Sequence, residues 1–295
     1  MIITFIIGGL GNQMFQYAAG LALAEKHRVP LLLDTRLFQN YDLRPEGFLL
    51  DKVFEIDAAV AVELEIRDLI GWRASPIGRR LIRNNSLSFL RGNNYYLQNV
   101  VAFNREFLSL PSSCYIAGHW LSERFFINQE KLIRKQFTFN APLVGKNKEL
   151  AIKIHQTSGA VSLHVRRGDY VNDPHTNANH GTCSIDYYKN AMLIIEKQLN
   201  NPIYFVFSDD INWVRKNLPF DQEHTFIAHN QGTESYNDMH LMSLCKHHII
   251  ANSSFSWWGA WLNPNPEKIV ITPKYWFKNT DWDSRDIAPD NWEQL

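Results

Sequence analysis

Short apolar runs and longer amphipathic stretches take turns along most of this chain. The opening run MIITFII (residues 1–7) ends in glycines and predicts a buried strand. Apolar positions at helical spacing over 12–27 predict a helix, and VPLLLD predicts a second strand ending at Asp34. Residues 40–110 show only short apolar patches among asparagines, with one helix predicted over 58–69. CYIAGHW (114–120) predicts a strand, and the following SERFFINQEKLIRKQF has helical spacing with Ser122 as its N-cap. The polar stretch NAPLVGKNKEL, with Pro142 and Gly145, predicts a domain boundary, set here between 145 and 146.

The second half alternates more plainly. Strands are expected at 160–166, 203–207, 247–251 and KIVITP, with a brief one at HTFIAH. Helices are expected over 184–199, started by Ser184, over 234–246, and in NSSFSWWGAWLN, stopped by Asn263-Pro264. This alternation predicts a doubly wound parallel α/β sheet over 146–275. The tail, 276–295, is expected to pack back on the first domain. Ligands of open α/β sheets sit at the carboxyl ends of strands. Three strands here end in polar groups: His164, Arg166 and Arg167; Ser208, Asp209 and Asp210; Asn252, Ser253, Ser254 and Ser256.

Composition narrows the function classes. The 295 residues balance 30 basic against 30 acidic side chains, which argues against a nucleic-acid binder. Three widely spaced cysteines exclude a disulfide framework and suit a reducing compartment. The first apolar run is too short to span a membrane and has no basic leader, so a cytoplasmic location is expected, with membrane association left open. No metal site is expected: Asp281 and Asp283 lie in a polar tail, and the neighbours His247 and His248 point to opposite faces of a strand.

In HVRRGD the two-residue period puts Val161, Leu163 and Val165 on one face and Ser162, His164 and Arg166 on the other. Arg166 is thereby aimed at the crevice. Arg167 needs a partner, for which Asp169 is the nearest candidate. A guanidinium matches phosphate oxygens bidentately, each charge-assisted bond contributing roughly 1.5–3 kcal/mol. The plainer alternative is an Arg–Asp pair closing a turn around Gly168. In NSSFSWWGAW the helix start offers backbone N–H groups and the hydroxyls of Ser254 and Ser256 to an anion, or is simply capped by Ser253 or Ser254. Trp257 and Trp261 share a face and suit helix-to-sheet packing better than sugar stacking. Asp209 or Asp210 can accept from a guanine edge or cap the next helix. GGLGNQ (8–13) lacks the third glycine of a dinucleotide fingerprint, so a tight turn presenting Asn12 and Gln13 explains it as well.

Together, GGLGNQMFQYA, HVRRGDY, FSDD, IIANSSFSWWGAWLN and NPEKIVITPKYWF resemble the bacterial α-1,2-fucosyltransferases, in order and across both halves. The resemblance implies a GT-B-type α/β fold, with two Rossmann-like domains facing across a cleft and GDP-fucose held by the second. It implies inverting transfer of fucose to the 2-hydroxyl of a terminal galactose, with no metal or other cofactor. Carried over, Arg166 engages the donor diphosphate, His164 and Asp209 lie on the guanine side, and Asn252, Ser253, Ser254, Phe255 and Ser256 form the phosphate and ribose cradle with Arg167 nearby. The G-x-x-G-N-Q turn of protein O-fucosyltransferases is similar to Gly9, Gly11, Asn12 and Gln13 and implies a place for Asn12 near the reacting centre. Asp169, His119 and Glu123 remain alternatives for a general base. Two other readings stand beside this one: a dinucleotide-dependent oxidoreductase using GGLG and Asp34, and a non-catalytic carbohydrate-binding protein built on tryptophan surfaces.

Overall fold

The opening apolar run forms strand β1 (Ile2–Phe5), buried at every position, as a run without polar alternation requires. It is the centre of a five-stranded parallel sheet with β2 (Leu31–Asp34), β3 (Ala59–Val60), β4 (Tyr95–Leu97) and β5 (Cys114–Ala117), in the order β3-β2-β1-β5-β4. The structure, a computed structural model, describes residues 1–39 and 47–295. It divides into two units, Met1–Asn140 and Ala141–Leu295.

The first unit carries helices α1 (Leu10–His27), α2 (Leu50–Val53), α3 (Glu63–Ile70), α4 (Pro76–Arg83) and α5 (Glu130–Gln136). α1 is buried on nearly every side. Its Gly20 permits that closeness, since a Cβ there would come within 3.0–3.2 Å of Leu31 and Thr4. The helix stops at Arg28, whose left-handed backbone (φ 54°) sends its N–H to the Ala24 and Glu25 carbonyls.

Two expectations for this unit need correction. Residues 59–60 pair with β2 as β3, so the helix predicted over 58–69 starts at Glu63. There the Glu65 carboxylate accepts the Val62 N–H at 2.8 Å. The stretch after Ser122 is not one helix but two 3-10 turns, Glu123–Phe125 and Ile127–Gln129, followed by α5. The adjacent Phe125 and Phe126 bury against different partners: Phe125 against Phe107 and Trp120, Phe126 against Phe15. One helical stripe cannot serve both, and Phe126 leaves helical geometry at φ −143°.

The second unit's sheet comprises β6 (Ala160–Val165), β7 (Ile203–Ser208), β8 (His224–Ile227), β9 (His247–Ile249), β10 (Val270–Thr272) and β11 (Glu293–Gln294), all parallel and ordered β11-β10-β9-β6-β7-β8. Its helices are α6 (Gly145–Gln156), α7 (Gly168–Asn172), α8 (Pro174–Asn179), α9 (Ile185–Gln198), α10 (Ile211–Asn217), α11 (Tyr236–Leu244) and α12 (Ser254–Leu262). Val161, Leu163 and Val165 pack with Tyr187, Ala191 and Ile195 of α9. On the other face Phe205 and Phe207 meet Leu150 and Ile154 of α6 and Leu241 of α11. Helices therefore cover both faces, as the sequence predicts for a doubly wound sheet. Ser184 caps α9 by accepting the Tyr187 N–H at 3.1 Å.

The division falls at 140/141, ahead of the expected 145/146. The tail also departs from expectation. It belongs to the second unit and adds β11 to that unit's sheet, in register Ile271–Glu293 and Thr272–Gln294. The Trp257 indole N–H donates to the Ile287 carbonyl at 2.8 Å, and the Trp292 ring sits 5.4 Å from Trp257. Aromatic burial on α12 draws the tail there. Trp257 and Trp261 stack at 6.1 Å in that core, so they are packing residues.

Candidate active site

In each unit the chain leaves a central strand in one direction and later returns to its other side. β6 lies between β7 and β9, and β1 between β2 and β5. Such a switch point opens a crevice at the carboxyl ends of the strands. Because β9, β6 and β7 are neighbours and parallel, the three polar strand ends singled out from the sequence meet at one sheet edge. Gly8–Asn12 after β1 and His119–Glu123 after β5 likewise share one edge of the first sheet.

Arg166 is the central charge of the second edge. Its guanidinium reaches Asp169 at 2.8 Å and Asp209 at 2.9 Å, and lies 5.6 Å above the Tyr170 ring. Burial favours its neutral form, but the Asp209 and Asp169 carboxylates outweigh that and raise its pKa. The side chain keeps a third of its surface exposed. Arg166 is thus a fixed cation with room for a further anion.

Arg167 does not pair with Asp169 as expected. Its Nε faces Asp210 at 3.3 Å and its guanidinium lies 3.9 Å over Trp213. Asp169 belongs to Arg166 instead. Asp209 has two partners, accepting the Arg167 backbone N–H at 2.8 Å besides pairing with Arg166. Asp210 caps α10 through the Trp213 N–H at 3.1 Å. Gly168 is needed for contact: a Cβ would stand 2.6 Å from Asp209 Oδ2.

His164, at the end of β6, is 6% exposed, with its ring 6.0 Å from Phe255 and its Nδ1 lacking a hydrogen-bond partner. Burial, reinforced by Arg166, pushes its pKa down to about 3, so it is a neutral imidazole with one unspent hydrogen-bonding atom. The expected cradle is partly structural. Asn252 donates to the carbonyls of His180, Gly181 and Trp276 and accepts from Cys183, so its side chain clamps the surrounding loops. Ser256 is buried with its hydroxyl on the Ser253 carbonyl at 3.3 Å. Ser253 is the N-cap without a side-chain cap bond, and the first helical bond of α12 runs from Trp257 N–H to Ser253 O. The N–H groups of Ser254, Phe255 and Ser256 precede it, leaving the dipole's positive end at this edge.

In the first unit Gly8 adopts φ 81°, and its neighbour Gly9 caps α1, receiving the Asn12 and Gln13 N–H groups. The Asn12 side chain lies over Gly8. Gln13 turns inward, donating to the Gly8 and Gly47 carbonyls and accepting the Leu49 N–H at 2.9 Å. It shapes the turn and does not project from it, contrary to expectation. Gly11 is buried, His119 exposed and Glu123 partly exposed. Asp34 is enclosed: Arg36 grips both its oxygens at 2.8 and 2.7 Å, and the Tyr115 hydroxyl donates at 2.6 Å. Burial raises its pKa, but the bonds from Arg36 and Tyr115 prevail and hold it below the usual carboxylate value. A ribose-binding role as in dinucleotide enzymes is closed to it.

Sequence reading missed the aromatic support beneath Arg166. Tyr170 stacks on His180 at 4.9 Å, and His180 is flanked by Phe277 and Trp282 of the tail. Only the cluster of aromatics in PKYWFKNTDW hinted at it. It also missed the partly buried polar group Asp238, Asn230 and Asn147 beyond β8, which no motif marks. His248, fully buried, hydrogen-bonds Ser162 and Asn263, and His247 accepts the Ile269 N–H, so both are structural. Among the described residues no cluster of three or more His, Cys, Asp or Glu could hold a metal ion. No described helix is long and apolar enough to cross a membrane.

Two units, each built on a parallel sheet with a switch point, make this a GT-B-type α/β fold. Fucosyltransferase NodZ from Bradyrhizobium superposes with a TM-score of 0.55 over 89% of this chain and 92% of its own, at 16% identity. A NodZ α-1,6-fucosyltransferase co-crystallised with GDP gives 0.56 at 17% identity, over 92% and 94% of the two chains. The profile of glycosyl transferase family 11 matches residues 1–295, and the chain belongs to that family. Among its relatives are an α-1,2-colitosyltransferase of Escherichia coli, 36% identical over 100% of this chain and 99% of its own, and the O-antigen biosynthesis glycosyltransferase WbnK of Escherichia coli, 31% identical over 98% of each. Human galactoside α-(1,2)-fucosyltransferase 1 is 25% identical over 86% of this chain and 63% of its own.

Proposed function

We propose that this glycosyltransferase moves L-fucose from GDP-fucose to the 2-hydroxyl of a terminal galactose, with inversion and without a metal ion. The observation that carries the reading is Arg166: a cation held by two carboxylates at the switch point of the second sheet, beside the dipole end of α12. As the sugar–phosphate bond breaks, negative charge grows on the leaving diphosphate. A guanidinium already in position, with backbone N–H groups, stabilises that charge with little reorganisation. Asp169 and Asp209 act as positioning residues for Arg166, and His164 offers its unspent ring nitrogen to the donor. The acceptor hydroxyl attacks from the side opposite the departing oxygen: the new C–O bond forms as the sugar–phosphate bond breaks, GDP leaves with the electron pair, and the hydroxyl proton passes to solvent.

One relative bears on the choice of sugar. Colitose is L-fucose without its 3-hydroxyl, so the colitosyltransferase makes GDP-colitose the second donor to try. Incubation with lactose and GDP-fucose in the presence of EDTA is expected to release GDP and yield a 2-linked product. GDP release from GDP-colitose alone would overturn the choice of fucose. No release from either donor on any galactoside would overturn the reading itself.

A further inference from the structure

Residues 67–91 hold six arginines against one aspartate, in a chain whose basic and acidic residues balance as a whole. They include a 3-10 turn, Gly71–Ala74, the helix α4 and a second 3-10 turn, Asn85–Arg91. α4 lies tightly on the first turn, since a Cβ at Gly78 would stand 2.4 Å from the Trp72 carbonyl oxygen. Gly78 and Ile82 are its buried positions. At 100° per residue, Ile77 and Leu81 then share a stripe about 40° wide, and Arg80 lies about 60° beyond Ile77, on the side of Arg83. Trp72, Ile77 and Phe89 are 54%, 75% and 76% exposed. Three large apolar side chains held in water on one short segment mark a surface for contact.

The neighbouring flank of α4 is cationic. Pro76, Arg79, Arg80 and Arg83 line a cavity of about 420 Å³ together with Phe5 and Arg36. Arg36 is neutralised by Asp34 and Glu63. Arg79 donates to the Ala74 carbonyl, and Arg83 lies 5.6 Å over the Phe5 ring. Among the described residues no carboxylate forms an ion pair with Arg79, Arg80 or Arg83.

We propose that the surface formed by Trp72, Ile77, Arg80, Arg83 and Phe89 docks this protein onto an anionic phospholipid bilayer. The arginines hold headgroup phosphates, and the apolar side chains enter the boundary between headgroups and acyl chains. A soluble phosphate compound would engage the arginines and leave Trp72, Ile77 and Phe89 in water. A bilayer interface accounts for both halves of the patch through charge complementarity and apolar burial together.

Flotation of the full chain with vesicles tests this. Vesicles of phosphatidylcholine mixed with phosphatidylglycerol are expected to carry the protein, and phosphatidylcholine alone to carry far less. Salt should release it as the charges are screened. Arg80→Gln with Arg83→Gln should weaken binding on the order of twenty-fivefold, about fivefold for each charge near an anionic surface. Phe89→Ser, at a position too exposed to endanger folding, should weaken it further at every salt concentration. Equal binding of wild type and all variants would overturn the proposal, as would equal binding to neutral and anionic vesicles. So would a melting-temperature rise with inorganic pyrophosphate, lost in the arginine variants, from a protein that floats with no vesicle. That result would assign the cavity to a soluble anion.

Discussion

The turn after β1 and the turn after β6 occupy the same place in their sheets and are built in opposite ways. Each follows a central parallel strand at a switch point. After β1, two glycines bend the backbone into α1, and two glutamines that follow serve it: Gln13 bonds Gly8, Gly47 and Leu49, and the Gln16 oxygen accepts the Ile7 N–H at 2.8 Å. After β6, two arginines are held out by carboxylates from α7 and from the end of β7. The first turn invests its polar groups in shape, the second in charge. A topological position is therefore a site only for the chemistry its side chains leave unspent.

Substitution of Arg166 should break this comparison most strongly. Arg166→Ala removes the cation and leaves Asp169 and Asp209 facing an incoming diphosphate. Losing two charge-assisted bonds, worth roughly 1.5–3 kcal/mol each, is expected to lower GDP affinity about a thousandfold by calorimetry. Arg166→Lys should recover only part, because one ammonium cannot bridge both carboxylates and a phosphate. Affinity within threefold of wild type in Arg166→Ala would take Arg166 out of the donor site.

Gln13→Ala sharpens the other half. The change empties a buried position and leaves the Leu49 N–H without its acceptor, at a cost of about 2–3 kcal/mol in stability. Urea denaturation should show that loss while GDP affinity stays at the wild-type value. A variant of normal stability with weakened GDP binding would reverse the assignment of the two turns.

The sequence was most readable where one physical demand governed a stretch. Continuous apolar runs had to be buried strands, and Ser184 before a helical stripe had to be a cap. Side-chain partners were less readable, because they depend on which strands end side by side. Asp169 is nearer to Arg167 in sequence, yet β7 lies beside β6 and brings Asp210 to Arg167 and Asp209 to Arg166. Asn252 belongs to a motif that suggests a ligand cradle, but its amide bonds carbonyls 71, 72 and 24 residues away in sequence, which no local pattern shows. The tail failed for the same reason. Two residues of strand and one tryptophan decide its place, and their partners lie on β10 and α12.

A further effect concerns protons and also separates the two turns. His164 is buried and neutral, with its pKa pushed down to about 3, whereas an unfolded histidine titrates near 6.5. The unfolded chain therefore binds a proton below about pH 6.5 that the folded protein refuses. The stability associated with neutral His164 is complete above that pH and is lost as the pH falls toward 3, at about 1.4 kcal/mol per pH unit. His248, driven down by burial, adds in the same direction. Asp238 opposes them. Burial lifts its carboxyl to about 7, so its folded form favours the proton and its contribution is lost as the pH rises through 7. Urea midpoints taken from pH 7 to pH 4 should fall for wild type and fall less steeply for His164→Asn. Asp238→Asn, which keeps an oxygen for Asn230, should gain stability relative to wild type as the pH rises from 4 to 8, by up to about 4 kcal/mol. Gln13→Ala should shift the whole curve down without changing its slope, since no titrating group leaves with it. A His164→Asn curve parallel to wild type would show that the imidazole is charged or solvated in the folded protein, and the electrostatic account of the second turn would then fail.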